Sequence, residues 1–110
     1  MVLGVDVGGT KVAVAAVEAG TATRTREHPT VTASADALLD GVEHVVRDVM
    51  ADAGRPEAIG VGVPSQIEFT TGTVETSVNI PLTGVPLREE LGRRFGVPVY
   101  VESFGVNGTW

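Results

Sequence analysis

The sequence has 110 residues, which is enough for one compact domain around one hydrophobic core and too short for a second. Its 14 acidic and 8 basic side chains give a net charge of −6, which disfavours nucleic acid and anionic membrane surfaces as partners. The absence of cysteine excludes a disulfide framework and a thiolate metal site. Because Met1 precedes strand-like sequence rather than a signal peptide, we expect a cytoplasmic location.

The chain begins with three predicted strands. Residues 2–7 and 12–17 are short apolar runs rich in valine, and the turn-forming segment 8–11 between them predicts a β-hairpin. Residues 21–27 alternate threonine with arginine, which favours a third and more exposed strand.

A long helix is predicted next. Ser34 is a suitable N-cap and Asp36 lies in the first turn, where a negative charge favours a helix. Apolar residues then recur at helical spacing, namely Leu38, Leu39, Val42, Val45, Val46 and Val49. Gly54 and Pro56 are expected to end the helix.

The second half of the chain combines strands with a shorter helix. Residues 58–63 predict a buried strand, and the Thr-, Ser- and Gly-rich stretch 64–78 predicts loops and a short hairpin around Gly72. Pro86 is placed at the first position of a helix whose apolar residues are Leu87, Leu91 and Phe95 and whose terminator is Gly96. Residues 97–102 predict a last strand. This order favours an α/β fold with a mixed β-sheet and flanking helices.

The most informative segment for function runs from Asp6 to Lys11. Gly8 and Gly9 allow backbone amides to approach phosphate oxygens closely, Thr10 adds a hydroxyl donor and Lys11 adds positive charge. Asp6, at the strand end, offers an oxygen ligand that would hold Mg²⁺ through water. The two glycines alone fit an ordinary hairpin turn equally well, and Asp6 and Thr10 favour phosphate binding.

Two common nucleotide motifs are excluded. A Walker A loop requires Gly-Lys-Ser/Thr at the start of a helix, whereas Gly-Gly-Thr-Lys here joins two predicted strands. The stretch Gly60-Val61-Gly62 is not a dinucleotide fingerprint, because Ser65 occupies the place of its third glycine.

Three motifs in order resemble the ROK family of sugar kinases, which includes many bacterial glucokinases. They are residues 4–11, residues 60–65, and residues 77–81 followed by Pro86-Leu87. The resemblance covers residues 2–102 and implies the amino-terminal lobe of an actin-like ATPase (ribonuclease H-like) fold. It also implies transfer of the γ-phosphoryl group of ATP to a hexose, with the 6-hydroxyl of glucose as the expected acceptor.

The same resemblance assigns candidate site residues. Facing ATP and Mg²⁺ it places Asp6, Gly8, Gly9, Thr10 and Lys11, with Asp6 nearest the metal; beside the sugar it places Ser65, Asn79 and Glu102. The amide of Asn79 both donates and accepts hydrogen bonds, which suits neighbouring sugar hydroxyls, although without the resemblance a loop-capping role is the commoner one. Ser65 replaces the glycine that the family commonly has at this place.

The sequence departs from the family after Glu102. The family continues with Asn-Asp, and its Asp is the general base that accepts the proton of the attacking hydroxyl. Ser103 and Phe104 stand there instead, and a phenylalanine cannot accept a proton. Residues 103–110 are therefore expected to form a divergent tail after a lobe of residues 1–102.

The expected lobe lacks one side of a kinase cleft. Because phosphoryl transfer depends on positioning from both sides of that cleft, the chain alone is not expected to be a competent kinase. An apolar face left uncovered would also favour self-association or a homo-oligomer.

Two other functions remain open. A ROK-type sugar-responsive transcriptional regulator would need a helix-turn-helix segment before the phosphate loop, and here that loop begins within ten residues of Met1. A truncated product without activity is the other alternative, motivated by the loss of the family pattern at Ser103.

The two histidines are predicted to be solvated side chains. His28 is placed in a loop beside Pro29 and His44 on the polar side of the first helix, and neither has a Cys or His partner at metal-ligand spacing along the sequence.

Overall fold

A computed structural model describes residues 1–68, 70–77 and 80–103 of the chain. Along them the elements follow in the order β1 (Val2–Val7), β2 (Lys11–Glu18), β3 (Thr21–Pro29), α1 (Ala35–Ala53), β4 (Ile59–Val63), β5 (Ser65–Glu68), β6 (Thr73–Ser77), α2 (Leu87–Phe95) and β7 (Val99–Ser103). The predicted α/β class, with a mixed sheet and flanking helices, is confirmed.

The main sheet has the strand order β3-β2-β1-β4-β7. β1 pairs antiparallel with β2 and parallel with β4, and β4 pairs parallel with β7. The strands β5 and β6 form a separate antiparallel hairpin. Because β1, β4 and β7 run in one direction, their carboxyl ends meet at the same edge of the sheet, and residues at this edge come from distant parts of the sequence.

Both helices cover the same face of the main sheet. α1 packs on β1, β2 and β3, and α2 packs on β7. Arg94 of α2 reaches α1, with its Nη1 atom 2.8 Å from Asp40 Oδ1 and 3.0 Å from Glu43 Oε1. The core lies beneath the helices and includes alternate strand residues, among them Leu3, Val5, Val7, Val12, Val14, Ile59, Val61 and Val63.

The opposite face of the sheet is lined by small residues. It presents Gly4 and Ala13 in its centre and Tyr100 on β7, whose side chain is 64% exposed. No helix of the described residues packs on this face. We call it the open face.

Local sequence signals account for the helix ends. Ser34 Oγ accepts a hydrogen bond from the Ala37 amide at 3.0 Å, so the predicted N-cap is confirmed. Gly54 caps the other end of α1, and Gly96 ends α2 in the left-handed conformation. No helix among the described residues has the length and hydrophobicity to cross a membrane.

Several predicted boundaries were wrong by one or two residues. β3 continues to Pro29 because its residues stay paired with β2 as far as Lys11, so His28 lies in a strand and not in a loop. Pro86 precedes α2 instead of opening it, because its ψ of 77° is not helical. β7 begins at Val99, two residues later than predicted, where pairing with β4 starts.

Candidate functional site

Two carboxylates share one row of the open face at the carboxyl edge of the parallel strands. Asp6 pairs with Gly62, and Gly62 pairs with Glu102. Since neighbouring strands lie 4.7–4.9 Å apart, the Cα atoms of Asp6 and Glu102 are separated by about 9.5 Å. In-register residues of parallel strands point to the same side, and Gly62 places no side chain between the two acids. The fold therefore brings together two of the residues that the sequence singled out.

Asp6 is exposed and its carboxylate is available. Partial burial raises the pKa of Asp6 above 3.8, and the positive charge of Lys11 offsets part of this rise. Among the described residues, no side chain or amide forms a hydrogen bond or ion pair with the Asp6 carboxylate. An acid with these properties is a suitable oxygen ligand for a hard cation such as Mg²⁺.

The turn after β1 is held by hydrogen bonds from both sides. The Gly8 amide donates to the Lys11 carbonyl at 2.9 Å. Thr30, which follows β3, donates its hydroxyl to the Gly8 carbonyl at 2.7 Å and its amide to the Thr10 carbonyl at 2.9 Å. A Cβ atom at residue 8 would lie 3.1 Å from the Lys11 carbonyl oxygen. Glycine at position 8 is thus favoured by the close approach of the two strands.

The same turn leaves donors directed at solvent. Within the described part of the chain, the amides of Gly9 and Thr10 and the Thr10 hydroxyl donate to no protein acceptor. Gly9 and Thr10 are both exposed. Consecutive free amides in an exposed turn, with a hydroxyl beside them, are donors that an anion such as phosphate can accept.

Lys11 forms an ion pair with Glu27 that the sequence did not predict. Its Nζ atom lies 2.9 Å from Glu27 Oε2, and both side chains are more than half exposed. Exposed pairs of this kind contribute about 0–1 kcal/mol, so the ammonium group can exchange partners at little cost. The pair was not predicted because it depends on the β2–β3 register, in which Lys11 faces Pro29 and Glu27 lies two residues before it.

Ser65 occupies the same edge but is buried. It begins β5, separated from the end of β4 by Pro64 alone, and is 6% exposed. Its hydroxyl donates to Ser77 Oγ at 3.0 Å, which joins the two strands of the β5–β6 hairpin. The remaining sugar candidate, Asn79, lies outside the described residues, as does Phe104.

Comparison with known proteins gives a consistent result. The sequence model described as "ROK family" matches residues 2–108. Curated relatives include a glucokinase from Streptomyces coelicolor, 33% identical over 112 residues, and an N-acetyl-D-glucosamine kinase from Escherichia coli, 31% identical over 116 residues. Both alignments cover 100% of the chain. The structure of a ROK family glucokinase from Streptomyces griseus, in complex with glucose and AMPPNP, matches 93% of the chain with a TM-score of 0.86 and 30% identity.

The chain spans about a third of the length of these relatives. It covers 34% of the Streptomyces coelicolor protein, 38% of the Escherichia coli protein and 32% of the Streptomyces griseus chain. The family match also extends to residue 108, six residues beyond the Glu102 at which sequence reasoning ended the resemblance.

Proposed function

The chain belongs to the ROK family, and from this premise we propose that it is the amino-terminal lobe of an ATP-dependent hexose kinase. The observation that carries the proposal is the common position of the Gly8-Gly9 turn, Asp6 and Glu102 at one edge of the sheet. Its α/β fold is that of ROK kinases, the actin-like ATPase fold. Glucose is the first candidate acceptor, because a glucokinase in complex with glucose and AMPPNP is among the similar structures.

The turn would bind the phosphates of ATP. The free amides of Gly9 and Thr10 and the Thr10 hydroxyl provide donors, while Gly8 keeps the turn closed against Lys11. Lys11 would add positive charge by exchanging Glu27 for a phosphate oxygen, which its exposure allows. Phosphate binding of this kind comes from positioned donors and needs no covalent step by the protein.

Asp6 would hold Mg²⁺, and the surroundings of its carboxylate support this role. Among the described residues no cationic side chain forms an ion pair with this carboxylate. Burial raises its pKa, because the charged form loses hydration, and a bound cation would offset that loss. When bound, Mg²⁺ neutralises charge on the transferred phosphate. The role of Asp6 is to fix that cation at the end of β1, beside the turn.

The sugar would lie towards β7. Glu102 is exposed and stands across Gly62 from Asp6, at a separation that leaves room between the two acids. Its carboxylate is suited to accept hydrogen bonds from sugar hydroxyls. Asn79 is assigned to the sugar by the family motif. For Ser65 the buried hydrogen bond to Ser77 supports an indirect role, in which it holds the β5–β6 hairpin beside the sugar.

We further propose that this chain by itself does not transfer phosphate. Phe104 replaces the family's general base, and the chain spans about a third of its relatives. The remaining wall of the cleft must then come from elsewhere before ATP and sugar are held in line.

Nucleotide binding followed residue by residue tests the proposal. Amide NMR spectra are recorded with AMPPNP, with and without Mg²⁺, and we expect the largest shifts at Gly9 and Thr10. Asp6→Asn should remove most of the Mg²⁺ dependence, whereas Asp52→Asn, on the helix-covered side of the sheet, should leave it unchanged. Shifts confined to other parts of the chain would contradict the assignment of the turn.

A second assay addresses the acceptor. Addition of glucose should shift the amide of Glu102, and ATP with glucose should give no glucose phosphate above the background of an enzyme-free reaction. Measurable turnover by this chain would disprove the proposal that it is incompetent alone. The absence of any glucose-dependent shift would reject glucose as the acceptor.

A further inference from the structure

Two histidines and an aspartate meet on the helix-covered side of the sheet. His28 lies on β3, and His44 and Asp48 lie one turn apart on α1. Their potential ligand atoms all lie within 4.8 Å of one another, and all three side chains are exposed. The two imidazole rings meet edge to face with 5.2 Å between their centroids, and His44 Nε2 lies 3.7 Å from Asp48 Oδ2.

The pairing of β3 and the packing of α1 on it bring His28 close to His44. His28 pairs with the buried Val12, so its side chain points to the face that α1 covers. Arg26, two residues earlier on the same face, bonds Asp52 Oδ2 at 2.9 Å, one helical turn after Asp48. β3 and α1 therefore run alongside each other in a fixed register, and the two histidines face one another because of it.

We infer that His28, His44 and Asp48 form a binding site for a divalent transition-metal ion of the Zn²⁺ type. Two imidazoles and a carboxylate are the ligands that such ions favour, and water would complete a tetrahedral shell. Mg²⁺ and Ca²⁺ prefer shells made of oxygen alone, so the site should discriminate against them.

The distances are compatible with a bound ion. Ligands at about 2.0–2.1 Å from a tetrahedral Zn²⁺ are roughly 3.3 Å apart. The present separations are at most 4.8 Å, so they need to shorten by no more than roughly 1.5 Å. The side chains of His44 and Asp48 are 63% and 51% exposed, so they have the rotamer freedom to close on the ion. The net charge of −6 also favours uptake of a cation.

This site is separate from the proposed phosphate turn. His28 faces α1, whereas Asp6 lies on the open face. Bound metal would join the edge strand β3 to α1, and because only the folded chain brings the ligands together, it would stabilise the folded state. The ion would also restrain His28, near the end of β3. Thr30, two residues later, holds the turn by donating its hydroxyl to the Gly8 carbonyl.

Metal titration of the untagged chain tests the inference. The chain has only two histidines and no cysteine, so a tag-free sample has no competing imidazole or thiolate. Calorimetry with Zn²⁺ should give one ion per chain, Co²⁺ should give the visible absorption of a tetrahedral complex, and Zn²⁺ should raise the midpoint of thermal unfolding. A tenfold excess of Mg²⁺ should not displace either ion.

Three variants and a matched control assign the ligands. His28→Gln, His44→Gln and Asp48→Asn should each weaken Zn²⁺ binding by at least roughly 10–100-fold, the loss typical even of an outer-shell partner. Asp36→Asn makes the same change in the first turn of α1, outside the cluster, and should leave the affinity unchanged. Thermal unfolding without metal verifies that each variant is folded.

Other outcomes would overturn the inference. Unchanged affinity in His28→Gln would reduce the site to a pair on one helix, and displacement by Mg²⁺ would mark a non-selective acidic surface. Binding only at millimolar concentrations, with no effect on unfolding, would identify an adventitious ion only.

Discussion

Asp6 and Glu102 flank Gly62 on one row of the sheet, although they come from opposite ends of the described chain. The row exists only when β4 lies between β1 and β7, so the proposed metal and sugar ligands depend on the long-range topology as well as on the local motifs. Partial burial of the Asp6 carboxylate also has an electrostatic cost, which can be measured.

Asp6→Asn is expected to stabilise the chain at neutral pH. Burial raises the folded-state pKa of Asp6 above 3.8, so the folded state holds this proton more tightly and the charged form opposes folding. The penalty is present above the folded pKa and disappears below 3.8, where both states are protonated. Because the side chain is exposed, we expect a gain of only about 0.2–0.5 kcal/mol. Urea unfolding across this pH range checks it, and a loss of stability at neutral pH would contradict it.

Glu43→Gln is expected to destabilise the chain by about 0.5–1 kcal/mol at neutral pH. Hydrogen bonds from Arg47, and then from Arg94, lower the pKa of Glu43 below 4.5, so its contribution is complete above 4.5 and is lost as pH falls through the lower folded value. Denaturant unfolding should show the difference from wild type shrinking below pH 4.5. Glu89→Gln is the control, since its pair with Arg93 is 4.0 Å long and exposed. Equal losses of stability in the two variants would argue against a role for Glu43 in joining α1 to α2 through Arg94.

Gly72→Ala and Gly60→Ala should have opposite effects on the free energy of unfolding. A Cβ atom at Gly72, where φ is +73°, would collide with Arg88 Cβ, so Gly72→Ala should cost at least about 2 kcal/mol. Gly60 has no such φ and a Cβ there meets no atom within 4 Å, so Gly60→Ala should stabilise by about 0.4–1 kcal/mol. Thermal unfolding of both variants tests the comparison, and a destabilised Gly60→Ala would show that the open face is closed at this point.

Ser65→Ala should cost about 0.5–1.5 kcal/mol, because it removes a buried hydrogen bond to Ser77. Ser77→Ala removes the same bond from its other side, so the double variant should lose less than the sum of the two single losses. A double-mutant cycle of unfolding free energies measures this coupling. Strict additivity would mean that the two hydroxyls do not interact.

The open face should cause concentration-dependent association. Tyr100 is 64% exposed on this face, next to the glycine and alanine residues that line it, and an exposed apolar surface of this kind favours association. Tyr100→Ser should weaken association in sedimentation by at least about tenfold, while Val31→Ser, a change at a 43% exposed apolar side chain off that face, should not. A monodisperse monomer at all concentrations would reject the prediction.

Local patterns predicted the helices well and pairing-dependent features poorly. The apolar spacing of α1 and its Ser34 cap depend only on residues that are close in sequence, and both predictions were confirmed. The end of β3 was not predicted, since a fully exposed strand has no burial pattern and its length follows from pairing with β2.

The candidate site shows the same division. The Gly8-Gly9 turn can be read from neighbouring residues, because its chemistry is contiguous. The pairs Lys11–Glu27 and His28–His44 depend on strand register and helix placement, which residue spacing along the chain does not give. For His28 the available signal was its two-residue offset from Arg26, which puts both side chains on one face of a strand.

The position of β4 also has a consequence for the order of folding. β1 pairs with β2 and β2 pairs with β3, so these three strands can form a meander as the chain leaves the ribosome. One edge of β1 remains unpaired until residue 63 has been synthesised. That edge belongs to a strand with buried valines, the kind that recruits other chains when exposed. Slow synthesis between β3 and β4 should therefore favour aggregation, and faster delivery of β4 should suppress it.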